Sequence, residues 1–428
     1  MKEHEKINWV EKLEKFPDWR NIYHLVVLPM YKEPLEIVRE SLMSLKNNDY
    51  PKDRMIIVLA CEERAGAHSK KVAEIMTKEF KNEFFKFLVT FHPQDLPGEI
   101  AGKGSNESFA TEQAKKIIDS LSIPYENIIF SSFDVDTFVF KKYFSCLTYH
   151  YLESEKRTRK SFQPIPLFIN NIWQAPSISR IFSFSSTFWH TMNQERPEKL
   201  ITFSSHSMSF KALVDVGFKL KNIVPDDSRI FWQCFLQYDG DYEVVPIFYP
   251  ISMDANVTKS FWRTLVNIYK QQRRWAYGVS DIAYFLFGFI KNKKIPFSRK
   301  ISLARELIEG HWSWATASII IFLSGWLPIY LGGELFSQSL ISYNLPIITR
   351  NILTFSMVGL VASVYFSILL LPPKPPHYGR FKYFILVLQW FLLPLTLIFF
   401  SALPALDAQT RLMLGKYMGF WPTEKVRK

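Results

Sequence analysis

Hydrophobic and polar positions fall into three regimes along the chain, and each predicts a different kind of element. Between Asn21 and Phe133, apolar β-branched runs at Leu25 to Leu28, Met55 to Leu59, Phe87 to Thr90 and Ile128 to Phe130 are separated by stretches of helical period. Such alternation marks βαβ units and a mostly parallel sheet. From Ser161 to Ser252 the pattern is less regular, with a strand-like run at Leu200 to Phe210, a helix near Asp227 to Leu236 and a strand at Tyr242 to Phe248. From Val257 to Ile290 the sequence is helical, aromatic and basic, as helices lying in a membrane interface are.

Three uncharged segments follow: His311 to Gly333, Asn351 to Leu371 and Tyr383 to Leu406. Each is long enough to cross about 30 Å of hydrocarbon as a helix, and Trp and Tyr stand near their ends. The loop Pro372 to Lys382 carries Lys374, Arg380 and Lys382 whereas Gly332 to Arg350 carries only Arg350, which places the former on the cytoplasmic side. Three crossings put the tail outside. Its basic residues Arg411, Lys416, Lys425, Arg427 and Lys428 favour inside, and Pro394 and Pro404 offer a way to turn the last segment back as a re-entrant element.

The resulting division is a charged segment at 1–20, an α/β catalytic domain at 21–253, interfacial amphipathic helices at 254–310, about three transmembrane segments at 311–406 and a basic tail at 407–428. A length of 428 residues accommodates a full catalytic core with an added module. Met1 to Trp19 is crowded with Lys and Glu and has no apolar run, so neither a signal peptide nor an anchor is expected there and the chain should start in the cytoplasm. Cys61, Cys146 and Cys234 are far apart without metal-ligand spacing, which suits a reducing compartment. The net charge of +12 is spread out and mixed with acids, which argues for an anionic lipid surface and against nucleic acid.

In an open parallel sheet, ligands bind at the carboxyl ends of the strands, and the endings here are polar: Pro29 to Glu33, Cys61-Glu62-Glu63, His92-Pro93 and Asp134-Val135-Asp136. Asp134 and Asp136 follow an apolar strand, where residues i and i+2 point to one side, so both carboxylates suit one hard cation, Mg²⁺ or Mn²⁺. Asp226-Asp227 precedes an apolar helical stretch; Asp227 is the candidate general base and Asp226 the candidate helix cap. In Tyr269 to Trp275, Gln271, Arg274 and Trp275 share a helix face at i, i+3 and i+4, combining a flat indole platform with a cation for phosphate.

The order of these motifs resembles the membrane-integrated family 2 glycosyltransferases, which include the cellulose, chitin and hyaluronan synthases. The matching residues are Pro29 to Glu33, Gly102-Lys103 with Asn106, Asp134-Val135-Asp136, Asp226-Asp227 and Gln271 to Trp275, covering roughly Tyr23 to Gly278. The resemblance implies a GT-A fold, inversion at the anomeric carbon and a nucleotide-sugar donor, with a UDP-sugar favoured and a glycan or lipid-linked acceptor. It places Tyr31 and Glu33 at the nucleotide, Lys103 near the base or diphosphate, Asp134 and Asp136 at diphosphate and metal, and Asp227 as base. Gln271, Arg274 and Trp275 then close over the diphosphate and the acceptor end, and His206 falls at the acceptor loop. Where many relatives carry an aspartate pair after the second strand, this chain has Cys61-Glu62-Glu63, with Glu62 as the corresponding donor contact. The rival expectation is a non-catalytic, membrane-anchored nucleotide-sugar-binding or scaffold protein. A transporter is disfavoured, because no span carries an ionisable residue at its middle.

Overall fold

A computed structural model of the chain describes residues 1–428 except Arg380, Lys425 and Lys428, so those three members of the orientation argument lie outside the described residues. Its centre is an eight-stranded mixed sheet in the order β3-β2-β1-β4-β7-β6-β8-β5. The strands are β1 (Tyr23–Met30), β2 (Met55–Glu62), β3 (Lys86–His92), β4 (Ile128–Ser132), β5 (Phe138–Val139), β6 (Lys160–Leu167), β7 (His206–Ser209) and β8 (Glu243–Ser252). The first four pair in parallel, as the alternating pattern predicted; β7 runs antiparallel to β4 and reverses the sheet.

The β-branched runs are buried on both faces. Val26, Leu28, Ile57 and Leu59 face a core shared with Val38, Leu42, Val72 and Met76. Their alternate neighbours Leu25, Val27, Ile56 and Val58 face a second core with Ala110, Ala114, Ile230 and Phe285. Side chains alternate along a strand, so a continuous apolar run must be covered by helices on both sides.

The second block holds less strand than its run at Leu200 to Phe210 suggested, because only His206–Ser209 pairs, and it holds elements not predicted: β6 and the helices Ser177–Gln194 and Phe210–Asp215. The helices Asp226–Gln237, Phe261–Ala276 and Ser280–Lys291 lie where helical period placed them.

Two helical stretches, Leu340–Leu369 and Phe381–Met413, are long and apolar enough to cross a membrane. The first expected span differs. The helix Phe297–Ser324 ends at Gly325, and two five-residue helices, Leu327–Leu331 and Gly333–Ser337, follow, so His311 to Gly333 forms no single crossing helix. Pro394 and Pro404 do not turn the last segment back; the chain passes them through short 3₁₀ and π turns inside one helical stretch. Only 6% of the most apolar window of Leu340–Leu369 is buried, which no core helix of a water-soluble protein would tolerate. The tail packs back against the rest of the chain: Val426 N–H donates to Val257 O at 3.0 Å.

Candidate active site

The predicted site residues gather at the carboxyl edge of β1, β2 and β4. Tyr31 and Glu33 follow β1, Glu62 ends β2, and Asp134 to Asp136 follow β4. Lys103 opens the helix Lys103–Ser120 after β3, and Asp226 and Asp227 occupy the first turn of Asp226–Gln237.

The approach of those two helix ends depends on Gly104. A Cβ added there would lie 2.8 Å from Asp226 Cβ, so a side chain would drive the helices apart. With it absent, Lys103 Nζ reaches both oxygens of Asp227, at 3.1 and 2.9 Å, and Asp134 Oδ1 at 2.8 Å.

A second ammonium, unforeseen from the sequence, completes the cluster. Lys219 Nζ lies 2.6 Å from Glu107 Oε2, 3.0 Å from Asp226 Oδ2, 3.0 Å from Asp227 Oδ1 and 3.0 Å from Ser132 Oγ. Glu107, Asp226 and Asp227 are close enough together to suit a metal ion. Their shared cation is instead Lys219, which neutralises the repulsion in a buried place. The lysine is reached through consecutive left-handed residues, Gly217 (φ 73°) and Phe218 (φ 70°), an arrangement with no sequence signal beyond the glycine.

The electrostatics separate the two aspartates. Burial pushes the Asp226 carboxyl up and the charge of Asp227 pushes it further. Burial also opposes ionisation of Asp227, but Lys103 and Lys219 overcome it and hold that carboxyl well below the usual range. Asp227 keeps a side chain 20% exposed whereas Asp226 is at 3%, so Asp227 is the member that a ligand can reach. Asp226 is not the cap it was expected to be: Pro225 is the N-cap, and the Asp226 carboxylate is committed to Lys219.

Asp134 and Asp136 sit in a turn, closed by Thr137 N–H donating to Asp134 O at 2.8 Å, rather than on an extended strand. Ser204 Oγ donates to Asp134 Oδ2 at 2.7 Å, and the Asp254 N–H donates to Asp136 Oδ2 at 2.9 Å. An all-oxygen, carboxylate-rich donor set of this kind fits Mg²⁺ or Mn²⁺, with Asp136 and Asp134 the residues that would hold it.

Tyr31, just after β1, and Glu62, at the end of β2, both contact Arg64. The Arg64 guanidinium stacks 4.4 Å from the Tyr31 ring centroid and pairs with Glu62 through both Nε and Nη2. Glu33 Oε2 accepts from the Tyr31 N–H at 2.7 Å and fixes the turn. On the opposite side, Gln271 and Trp275 line a cleft with Asn256, Asp254, Ser179 and Ser183, and Asn256 Nδ2 donates to Gln271 Oε1 at 3.2 Å. Arg274 lies under Phe420, 4.8 Å from its ring. His206 is fully buried at the start of β7, its Nδ1 2.8 Å from Phe203 O and 3.9 Å from Asp227, a position beneath the carboxylate rather than in an open loop.

The tail crosses this cleft. Phe420 packs on Gly102, where an added Cβ would stand 2.7 Å from its ring. Lys270 sits 3.6 Å over the Trp421 ring, and Asn267 Nδ2 donates to Glu424 O at 3.0 Å. Arg427 ends the path on Asp254, at 2.7 Å, beside Asp136, with a second contact to Glu40. The tail was expected as a basic segment on the inner side, and its apolar Phe420-Trp421 pair is what docks it here.

No protein-family model and no curated protein sequence matches the chain. Its fold has solved counterparts. One is the mannosyltransferase PcManGT from Pyrobaculum calidifontis, in a structure with GDP-Man and Mn²⁺, at 12% identity, with 96% of this chain and 95% of that one covered and a TM-score of 0.53. Another is residues 1–349 of S. aureus TarS with UDP-GlcNAc, at 11% identity, with 92% and 93% covered and a TM-score of 0.43. The first likeness covers nearly the whole of both chains and shows that this chain shares that protein's fold, a mixed α/β sheet with flanking helices.

Proposed function

We propose that this chain is an inverting glycosyltransferase that works at the cytoplasmic face of a membrane, moving a sugar from a nucleoside-diphosphate donor to a hydroxyl of a glycan or lipid-linked acceptor. The observation that carries the reading is the partly exposed Asp227 carboxylate, joined through Lys103 to Asp134, with Tyr31 and Arg64 stacked after neighbouring strand ends and Gln271 and Trp275 lining a cleft that includes Asp254. A donor lying along the strand ends brings its base to Tyr31, Glu33 and Glu62 and its diphosphate to Lys103. The acceptor then enters past Trp275, whose indole suits a pyranose face.

Asp227 takes the proton from the attacking hydroxyl. In the donor-free arrangement two ammonium groups make it a weak base. Diphosphate draws Lys103 away from Asp227, which raises the proton affinity of the carboxylate as the substrates assemble. Asp134 and Asp136 would hold a divalent ion, which when bound would supply charge stabilisation to the leaving diphosphate, with Arg274 adding to it. The likeness of fold to PcManGT, whose structure contains GDP-Man and Mn²⁺, supports both donor class and metal class.

Purified protein in detergent, given UDP-, GDP- and dTDP-sugars with Mg²⁺ or Mn²⁺, should release one nucleoside diphosphate selectively, and Asp136→Asn should lose that release. Product mass then separates a ladder, the mark of a processive synthase, from a single addition. Donor binding without release under either metal, even with membrane lipids and glycans supplied, would favour the scaffold reading.

A further inference from the structure

On the far side of the Tyr143–Glu153 helix from the cleft, His4, Cys146 and His150 offer one donor atom each within 4.8 Å of one another. Cys146 and His150 are i and i+4 on that helix and share a face. His4 comes from the amino-terminal helix Lys2–Lys6, held down by Lys142, whose Nζ donates to Glu5 O and Ile7 O at 2.9 Å each.

Each imidazole has a ring nitrogen sealed from solvent with no hydrogen-bond partner: Nδ1 of His4 and Nε2 of His150. The Ile247 backbone faces the His4 ring, and Nδ1 is the buried nitrogen left without a partner. Cys146 is fully buried, and Trp9 closes the pocket, its ring 5.6 Å from His4 and 5.5 Å from His150. Lys12 and the amino terminus are the cations facing the site; Glu153 and Asp49 are the acids.

We infer that His4, Cys146 and His150 form a zinc site, separate from the carboxylate site of the cleft, that pins the amino-terminal segment to the catalytic sheet. A thiolate with two imidazoles is the donor set of a borderline-soft ion and differs in kind from the oxygen set at Asp134 and Asp136. Bonds of about 2.0 to 2.3 Å place tetrahedral donors roughly 3.3 to 3.8 Å apart, which three atoms within 4.8 Å of one another reach by small side-chain adjustments.

The test is titration of chelator-stripped, full-length protein in detergent with Co²⁺, then Zn²⁺. One equivalent of Co²⁺ should give thiolate-to-metal charge-transfer absorption that Zn²⁺ bleaches, and Zn²⁺ should raise the unfolding temperature. Cys146→Ser should abolish the absorption, while Asp136→Asn should leave it intact. If Cys146→Ser fails to fold, His4→Gln on the exposed side should still weaken Zn²⁺ binding roughly tenfold or more. Absence of the band in folded wild type, or its persistence in Cys146→Ser, or unchanged affinity in His4→Gln, would overturn the site.

Discussion

At the residue scale, the cleft is organised by two buried lysines facing four carboxylates, and the pairings are unequal. Lys219 is almost wholly enclosed and touches Glu107, Asp226 and Asp227 together. Removing it leaves buried like charges without a counter-ion, so Lys219→Ala should destabilise the fold by roughly 3–5 kcal/mol, read from denaturation of the detergent-solubilised protein. A cost below about 1 kcal/mol would mean that water already screens the cluster. Lys103 instead spans Asp134 and Asp227 near solvent, and its loss should fall on donor binding. Asp134, Asp136, Asp226 and Asp227 stood out by their positions after a strand or before a helix, Lys103 only through the family resemblance, and Glu107 not at all. Lys219 was not legible, because a lysine in Gly-Phe-Lys-Leu-Lys reads as solvated until the fold folds it inward.

At the scale of elements, the parallel half of the sheet was readable because each strand is a short β-branched run between helical stretches. The antiparallel half was less so: β7 is four residues long and β6 contains two prolines, patterns that carry little periodicity. The tail is the element with most bearing on function. Arg427 on Asp254 stands where charge from donor and metal would compete with it. Donor with Mn²⁺ should therefore loosen the strap, so hydrogen exchange of the Val426 amide, now bonded to Val257 O, should accelerate. Equal exchange with and without ligand would show that the tail is a fixed wall of the cleft.

For the whole molecule, the exposed apolar surface of Leu340–Leu369 and Phe381–Met413 predicts that the protein stays with membranes through alkaline extraction; release into the supernatant would remove the membrane reading. The first expected span failed as a helix because Gly325 and the loop-like Trp326 interrupt an apolar run that composition alone could not break.

Acid sensitivity also belongs at this scale. Burial pushes His24 and His206 down to about 3, whereas in the unfolded chain both titrate near 6.5. The unfolded state then binds more protons below pH 6.5, so their contribution is present above that value and is lost as pH falls toward 3. Unfolding temperature should drop from pH 7 to pH 5, with His24→Asn flattening the slope; a level profile would mean that these rings are hydrated.

The central claim is that Asp227 is the base of a sugar transfer, and the most direct measurement compares Asp227→Asn with wild type for nucleoside-diphosphate release, donor affinity and unfolding temperature in the same preparation. The account predicts a fall in turnover of about 10²-fold or more, with donor affinity within a few-fold and folding retained. Normal turnover in the folded Asp227→Asn protein would contradict it.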